Sequence, residues 1–468
     1  MHSVGREVWF FNCQTAMKTK FFSLLAITLY VATTSFAASR ADVNNDGSVN
    51  AGDVSTLYAA LLDGSSYTLY DVNNDGSVNA GDVSAIYNVM LNGEEEERPE
   101  YLVGGDISLL PQYLAKGARY FDNSGVRVTD PLKWFGETIG LNAMRVRLFV
   151  NPANAGDDDK GEGVCQDLPY VAALGKQIKA NGFQFVLDIH YSDTWADPGQ
   201  QALPAAWKGC TVAQLRDSVY QYTHDVLTTL VTAGATPDYI QTGNEITYGM
   251  LWPTGRIYPG GGAPDGGNWS YFRTYLKSAA KACREVCPDA RIILHVEMAR
   301  ADNPVNFFNT IDSYNTDYDV IGLSYYAAYH GLPSVLDGVL TTLENDHPDR
   351  DIMIMETGYV SKWALPGTKN ESTLTAVYPY TPAGQQLFTS DLIALLKSHS
   401  NVKGLFWWWP EANEYWVDYR DPVTAAWYNA SLFDNSTGKA LPALNTLATF
   451  LDRESFELIS ASNISARA

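Results

Sequence analysis

The chain has 468 residues, of which 46% are hydrophobic and 18% are charged, so it is not a disordered chain and can form one large core with a small extra module. Its formal net charge of −21 repels phosphate backbones and anionic lipids, which argues against nucleic-acid and membrane partners. The 12 Trp and 28 Tyr residues suit stacking on the flat apolar faces of sugar rings.

The N-terminal region predicts a secretion signal over residues 1–37. Two lysines precede an apolar stretch at 21–37, which ends in the small residues Ser35 and Ala37 at a spacing that signal peptidases accept. Because Met17 stands just before the lysines, we expect translation to start there and not at residues 1–16. No other segment approaches the ~20 apolar residues of a membrane span. We therefore expect a secreted monomer in the periplasm, at the cell surface or outside the cell.

Four cysteines follow the predicted signal: Cys165, Cys210, Cys283 and Cys287. An even number in an oxidising compartment is compatible with disulfides. A bond between Cys283 and Cys287 is geometrically awkward, because the two are four residues apart on a predicted helix. The sequence leaves the pairing open.

The sequence DVNNDGSVNAGDVS occurs twice without change, at 42–55 and 71–84. In each copy oxygen-bearing side chains recur at loop positions 1, 3, 5, 7, 9 and 12, and Gly47 or Gly76 holds position 6, where the chain must turn sharply. Hard oxygen ligands around a tight glycine turn favour Ca²⁺. The predicted calcium ligands are Asp42, Asn44, Asp46, Ser48, Asn50 and Asp53 in the first loop, and Asp71, Asn73, Asp75, Ser77, Asn79 and Asp82 in the second.

These repeats resemble a dockerin, the paired calcium-loop module that attaches polysaccharide-degrading enzymes to cohesin-bearing scaffolds. The resemblance implies two bound calcium ions and a cohesin-like partner. The loop positions that usually help to recognise cohesin carry only Ala and Gly here, so a calcium-stabilised spacer without a cohesin partner is an alternative. We assign residues 38–92 to this module and 93–100, a like-charged run, to an acidic linker.

From residue 101 onward, strand-like runs alternate with amphipathic helical stretches. Eight such runs occur, at 101–108, 142–149, 183–191, 237–245, 291–297, 319–326, 351–359 and 402–410. Eight βα units in about 350 residues predict an α/β fold, a closed (β/α)8 TIM barrel whose active site gathers at the C-terminal strand ends. We assign this domain to residues 101–455 and a C-terminal tail to 456–468.

Two carboxylates close strand-like runs: Glu245 ends the fourth run and Glu356 lies near the end of the seventh. A carboxyl group at the mouth of a sheet is costly to bury unless it is used. Two such groups at one rim suggest a catalytic pair that splits a glycosidic bond. Alternation along the eighth run predicts that Trp407 and Trp409 share one face and that Trp408 takes the other.

The segments at 104–125, 188–201, 241–255 and 355–359 resemble glycoside hydrolase family 53, the endo-β-1,4-galactanases of clan A, over about residues 101–452. The resemblance implies Glu245 as acid/base and Glu356 as nucleophile, β-1,4-galactan of pectin as substrate, and no cofactor for the chemistry. The candidate substrate-binding residues are Asp106, Arg145, His190, Trp195, Asn244, Trp252, His295, Tyr325, Tyr326, Trp407 and Trp409.

The chemistry of a retaining hydrolase asks for the same assignment. Its two carboxyl groups stand roughly 5 to 5.5 Å apart. Glu356 must be ionised, with Arg145 and a strand-six tyrosine holding its charge, while Glu245 must begin protonated. Strand parity leaves open whether that tyrosine is Tyr325 or Tyr326. The alternatives are another clan A endoglycanase, such as a mannanase or xylanase, and a non-catalytic glycan-binding protein.

Overall fold

The computed structural model describes residues 40–64, 70–73, 76–92, 98–258, 268–298, 302–424 and 427–452. The predicted signal, most of the acidic linker and the C-terminal tail lie outside these residues. The chain divides into two compact units, Met1–Arg98 and Pro99–Ala468. Among the described helices, none is long and apolar enough to cross a membrane.

The first unit contains two helices, Ala51–Asp63 and Ala80–Asn92, and each begins directly after one of the repeated loops. Asn50 caps the first helix, accepting from the backbone of Gly52, and Asp53 completes a capping box. Apolar side chains from both repeats form a small shared core of Ala41, Val43, Val54, Leu57, Val83 and Ile86. The duplication in sequence is therefore a duplication of one loop-and-helix unit.

The second unit is a closed barrel of eight parallel strands, in which each strand pairs with the next and the last pairs with the first. We number these strands in chain order: β1 Leu102–Asp106, β2 Ala143–Leu148, β3 Gln184–Ile189, β4 Tyr239–Thr242, β5 Arg291–Glu297, β6 Val320–Tyr325, β7 Asp351–Thr357 and β8 Val402–Trp408. Every predicted run contains one of them, so the predicted fold class is confirmed.

Helices connect the strands and cover the outside of the barrel. In chain order they are Leu110–Ala115, Pro131–Trp134 with a π-helical continuation Phe135–Ile139, Asp157–Gly161, Leu168–Ala180, Val212–Ala233, Trp269–Val286, Asp302–Ser313, Ala327–His330, Pro333–Asp346, Glu371–Val377, Pro382–Lys397 and Pro442–Ala448. Short 3-10 turns occupy Pro152–Asn154, Ala205–Trp207, Ile246–Tyr248, Tyr428–Ala430 and Thr449–Leu451. A two-stranded hairpin, Tyr120–Phe121 with Arg127–Val128, follows β1.

The barrel interior is filled by a buried apolar cluster that takes at least one side chain from every strand: Leu102, Ala143, Val186, Tyr239, Ile293, Val320, Met353, Met355 and Phe406. A separate and larger cluster packs the outer faces of the strands against the helices. The apolar filling near the starts of the strands leaves the polar side chains to gather toward their C-terminal ends. The four cysteines of this unit are all free.

Candidate active site

A cleft of about 410 Å³ lies at the C-terminal ends of the strands. Both Glu245 and Glu356 line it. Its wall also contains Glu162, Trp195, Ala196, Asp197, Pro198, Gln200, Asn244, Glu297, Tyr326, Tyr329, His330, Lys369, Trp408, Trp409 and Trp427. The two carboxylates proposed from sequence therefore face one shared cavity.

Glu245 reaches the cleft through a sharp turn after β4. The strand ends at Thr242, Gly243 has φ +104°, and Glu245 itself has φ +44°, a left-handed conformation that is rare for a residue with a side chain. The side-chain amide of Gln201 holds this turn, because its Nε2 donates to the carbonyls of Asn244 (2.8 Å) and Glu245 (3.4 Å). The buried side chain of Gln201 therefore stabilises the strained backbone at Glu245.

Glu356 lies on β7 and is held at both carboxylate oxygens. The Tyr326 hydroxyl donates to Oε2 at 2.9 Å, and Nη2 of Arg145 lies 2.9 Å from Oε1. Arg145 is completely buried and Glu356 is 5% exposed. Both contacts favour the ionised form of Glu356.

The two carboxyl groups differ in how readily they ionise. Burial raises the pKa of Glu356 to about 7, with Arg145 acting in the opposite direction. Burial, followed by the negative charge of Glu356, raises the pKa of Glu245 well above its ordinary value. Because Arg145 and Tyr326 favour the charge on Glu356, Glu356 loses its proton first and Glu245 keeps its proton to higher pH.

A buried ion network forms the floor beneath the cleft. Arg145 contacts Asp106 at 3.2 Å and Asp188 at 2.8 Å, and Arg147 contacts Asp106 at 2.8 Å. His190 accepts from the backbone of Ala196 through Nδ1, so its Nε2 carries the hydrogen toward Asp188 at 3.0 Å. Paired in this way the buried charges orient Arg145. The predicted substrate-binding residues Asp106, Arg145 and His190 lie in this floor and not among the residues that line the cleft.

Asn244 lines the cleft and also joins this network. Its Oδ1 receives Arg145 Nη2 at 2.9 Å and Gln241 Nε2 at 3.1 Å, and its Nδ2 donates to the carbonyl of Ala196 at 2.8 Å. His295 lies below it, with Nδ1 3.0 Å from Asn244 Oδ1. His295 is buried and does not line the cavity.

The structure resolves which of the two tyrosines at the end of β6 and just after it faces the site. Tyr326 is the cleft residue that contacts Glu356. The hydroxyl of Tyr325 donates to the carbonyl of Gly331 at 2.8 Å, and its ring stacks on Phe388. Tyr325 thus packs against the outer helices, away from the cleft.

The predicted alternation of the three tryptophans at the end of β8 holds for Trp407 and Trp408, which take opposite faces, and is wrong for Trp409. Trp408 and Trp409 both line the cleft, with rings stacked at 5.2 Å, whereas Trp407 is completely buried and donates from Nε1 to the carbonyl of Ala430. The reason is local: β8 ends at Trp408, and Trp409 has φ +52°, so the period of two stops there.

A third tryptophan completes this aromatic wall. Trp195 lies 6.2 Å from both Trp408 and Trp409, measured between ring centroids, and the guanidinium of Arg147 packs against all three rings. Trp252 stands apart from it: Arg256 covers the Trp252 ring, whose Nε1 donates to the carbonyl of Tyr248. Trp252 does not line this cleft.

Sequence reasoning missed three residues that the segments following the strands bring to the cleft. Trp427, Tyr329 and Lys369 come from segments after β8, β6 and β7, and Trp427 packs on Tyr326 with centroids 5.1 Å apart. None of them ends a strand, so the strand-end rule could not find them. Trp427 has φ +58°, and no residue pattern in the sequence signals that conformation.

The family profile described as "Glycosyl hydrolase family 53" matches residues 102–447. The chain belongs to glycosyl hydrolase family 53. It is therefore a glycoside hydrolase, as the resemblance of its motifs implied.

Relatives and solved structures agree with this membership. The chain is 30% identical over 357 residues to a probable arabinogalactan endo-β-1,4-galactanase A of Aspergillus fumigatus, covering 74% of this chain and 92% of the relative. It is 31% identical to an arabinogalactan endo-β-1,4-galactanase of Cellvibrio japonicus, covering 73% and 89%. The family 53 catalytic domain from Ignisphaera aggregans superposes with a TM-score of 0.66 at 30% identity, covering 75% of this chain and 97% of that one.

The N-terminal module of this family 53 protein matches the dockerin type I profile at 40–91 and 69–108. In both loops the first and last acidic residues turn inward: Gly47 and Gly76 donate to Asp42 and Asp71 at 2.8 and 3.0 Å, and Asn50 and Asn79 donate to Asp53 and Asp82 at 2.8 and 2.7 Å. Asp75 lies outside the described residues.

The oxygen donors of these loops suit calcium. Gly47 and Gly76 have φ of +87° and +84° at the tight turn, and Asp53 and Asp82 are fully buried carboxylates. Within the described ranges, no group of three or more His, Cys, Asp or Glu side chains converges as a metal site. In the first loop, whose predicted ligands are all described, amide, hydroxyl and backbone oxygens would therefore have to complete the coordination shell.

Proposed function

We propose that this family 53 protein is a secreted, retaining endo-β-1,4-galactanase that hydrolyses the galactan side chains of pectin. The observation that carries the proposal is that two carboxyl groups in one cleft differ in how readily they ionise. Glu356 contacts Arg145 and Tyr326, which favour its charge, and Glu245 holds its proton more tightly. The galactanase names of the relatives in Aspergillus and Cellvibrio support the choice of substrate. The signal-like segment at 21–37 supports secretion.

The first step forms a covalent intermediate. The ionised carboxylate of Glu356 attacks the anomeric carbon, the bond to the glycosidic oxygen breaks, and that oxygen takes the proton of Glu245. The products are a galactosyl ester on Glu356, a released chain with a free 4-hydroxyl, and an ionised Glu245. No metal or cofactor takes part in these bond changes.

The second step returns the enzyme to its initial state. Once Glu356 is an ester, its negative charge is gone, so the pKa of Glu245 falls and its carboxylate can take a proton from water. That water attacks the anomeric carbon and displaces Glu356. Two inversions give net retention of the β configuration.

Substrate binding rests on the aromatic walls. Trp195, Trp408 and Trp409 form one wall, and Trp427 with Tyr326 and Tyr329 forms another. Aromatic faces stack on the apolar faces of pyranose rings. A neutral polysaccharide carries no charge that the acidic side chains nearby would repel. Asn244 Nδ2 donates one hydrogen to Ala196 and has a second one for the sugar 2-hydroxyl.

Substrate panels test this function. Release of reducing ends from linear β-1,4-galactan, compared with mannan and xylan, is expected on galactan alone. Glu356→Ala is expected to abolish release, and Glu411→Gln, at a buried carboxyl group away from the cleft lining, is the matched control that keeps it. Activity on mannan or xylan without galactan would assign another clan A endoglycanase. Full turnover by the Glu356→Ala variant would assign a different mechanism or a binding role.

For the N-terminal module we propose two calcium sites and a cohesin-like partner. The repeated ligand spacing supports calcium, and the dockerin match supports the partner. Tyr58 and Tyr87, at equivalent positions of the two helices, are 50% and 46% exposed and available for a partner surface. Thermal unfolding of the full chain is measured with calcium and with chelator. The Tm of only one transition is expected to differ between the two conditions, and Asp53→Ala is expected to make that difference smaller. Two transitions that both ignore calcium would overturn the calcium sites.

A further inference from the structure

His330 and Glu297 bring to the cleft a polar pair that the two catalytic steps do not use. Glu297 is the last residue of β5, and His330 ends the short helix Ala327–His330 that follows β6. Both residues line the cleft. The exposed fractions of their side chains are only 5% for His330 and 4% for Glu297. Polar groups buried this deeply are costly unless hydrogen bonds satisfy them.

The backbone after β6 determines which ring nitrogen of His330 carries the hydrogen. The amide of Tyr326 donates to Nδ1 at 3.0 Å, so Nδ1 is an acceptor and has no hydrogen of its own. Burial, followed by the positive charge of Lys369, lowers the pKa of His330 to about 4, so the ring is neutral at higher pH. The single hydrogen of the neutral ring therefore lies on Nε2, which is a hydrogen-bond donor.

Neighbouring rings hold the imidazole of His330 in this orientation. The ring centroids of Tyr325, Tyr326 and Tyr329 lie 6.3, 6.4 and 6.4 Å from the centroid of His330. Together with the bond from the Tyr326 amide, these contacts restrict rotation of the imidazole. The Nε2 hydrogen thus has a fixed direction before any substrate binds.

The donor of His330 and the carboxylate of Glu297 are too far apart to bond directly. Nε2 lies 3.7 Å from Oε2 of Glu297, which is longer than a hydrogen bond. Among the described residues, no acceptor lies within hydrogen-bond distance of Nε2. A hydroxyl oxygen about 2.8 Å from each atom can bond to both, because a hydroxyl group accepts one hydrogen and donates its own.

We propose that His330 and Glu297 bind one hydroxyl group of the galactan chain, which accepts a hydrogen bond from Nε2 of His330 and donates one to Oε2 of Glu297. The assignment rests on the proposed galactan substrate. In a β-1,4-linked chain the free hydroxyl groups of an inner galactose are those at C2, C3 and C6, so the partner is one of these three.

The pair shares its cleft with both catalytic carboxyl groups. Tyr326, whose amide bonds to His330, also donates from its hydroxyl to Glu356. Glu297 is one of the negative groups that face Glu245. A sugar that lacks the bound hydroxyl group, or carries it in the other configuration, loses both hydrogen bonds. His330 and Glu297 would therefore contribute to substrate specificity and not only to affinity.

The competing role of His330 is purely structural: it would hold the backbone at Tyr326, and its Nε2 would not touch the substrate. Two substitutions separate the roles. In His330→Asn the side-chain oxygen can replace Nδ1 as the acceptor for the Tyr326 amide, but the donor at Nε2 is lost. In His330→Gln the side-chain nitrogen can replace Nε2 as the donor, but the acceptor for Tyr326 is lost.

The test is titration calorimetry on the full chain made inactive by Glu356→Gln, with galactotetraose and with analogues deoxygenated at C2, C3 or C6. Deoxygenation at one of these positions is expected to raise Kd by about 10- to 100-fold. His330→Asn is expected to raise Kd for galactotetraose by about 10-fold, and the same deoxygenation should then add less than about 3-fold. His330→Gln is expected to recover most of the affinity that His330→Asn loses.

The control is His347→Asn, at a histidine that contacts Asp312 and does not line the cleft, and it should leave Kd unchanged. Two results would overturn the inference: Kd changes from His330→Asn and from deoxygenation that multiply independently for every analogue, or a loss of affinity in His330→Gln alone. If His330→Asn does not fold, Glu297→Ala removes the acceptor of the same hydroxyl group and gives the same comparison. Wild-type cleavage of mannan or xylan in place of galactan would overturn the proposed substrate alone, because deoxy analogues of that glycan can be measured in the same way.

Discussion

The hydroxyl of Tyr326 donates to Oε2 of Glu356 at 2.9 Å, whereas the hydroxyl of its neighbour Tyr325 donates to a loop carbonyl outside the cleft. Tyr326 therefore contacts the proposed nucleophile, and the adjacent Tyr325, which does not, is its natural control. A donor to the carboxylate stabilises the charge that the nucleophile needs.

Tyr326→Phe is expected to raise the pKa of Glu356, because the ionised form loses a hydrogen bond. The acidic limb of kcat/KM, which should lie near pH 7 in the wild type, would move to higher pH. We expect kcat/KM at pH 6 to fall by about 10- to 100-fold. Tyr325→Phe should leave the limb in place and lower only stability. An unchanged acidic limb in Tyr326→Phe would show that this hydroxyl does not support the nucleophile.

Trp408→Ala is expected to weaken binding of galacto-oligosaccharides, because it removes one ring of the stacked pair in the cleft wall. Loss of about 1 to 2 kcal/mol of stacking would raise KM or Kd by about 5- to 30-fold. Trp407→Phe is the matched variant: it removes the bond to Ala430 in the core, so it should lower stability by about 1 kcal/mol without changing Kd. Titration calorimetry on inactive Glu356→Ala backgrounds measures both. Equal Kd changes in the two variants would contradict the assigned wall.

Glu411 is expected to make stability depend on pH. It is fully buried, accepts from the backbone of Leu109 at 3.0 Å, and has its pKa raised to about 8 by burial and then by the charge of Asp106. Between an unfolded pKa of about 4.3 and this folded value the folded state binds more protons, so stability falls as pH rises through this window.

Glu411→Gln should remove this dependence while keeping an acceptor for Leu109. We compare the free energy of unfolding of the variant with that of the wild type, measured by urea unfolding of the barrel transition. This difference, in favour of the variant, is expected to be larger at pH 8 than at pH 5 by about 1 to 3 kcal/mol. Activity on galactan should persist, since Glu411 does not line the cleft. A stability difference that is the same at both pH values would show that Glu411 is ionised in the folded state.

The barrel and its two carboxylates could be predicted from sequence because they depend on local signals. Each strand has a continuous apolar run of the expected length, and parallel strands must bring their C-terminal ends to one rim. The positions of Glu245 and Glu356 follow from those two facts. Asp106, Arg145 and His190 were found by the same rule, but strand parity and burial placed them under the cleft and not in its wall.

The other residues of the cleft depend on backbone conformations that sequence patterns do not encode. Trp409 and Trp427, which both line the cleft, have positive φ, and Tyr326 lies just after the last residue of β6.

The most direct test of the catalytic pair is the configuration of the first product released from linear β-1,4-galactan, followed by proton NMR before mutarotation. A nucleophilic Glu356 with Glu245 as acid/base predicts that the β anomer appears first, and that a 2-deoxy-2-fluoro galactoside traps an ester on Glu356. The α anomer appearing first, or an ester on any other residue, would contradict the assignment of these two carboxylates.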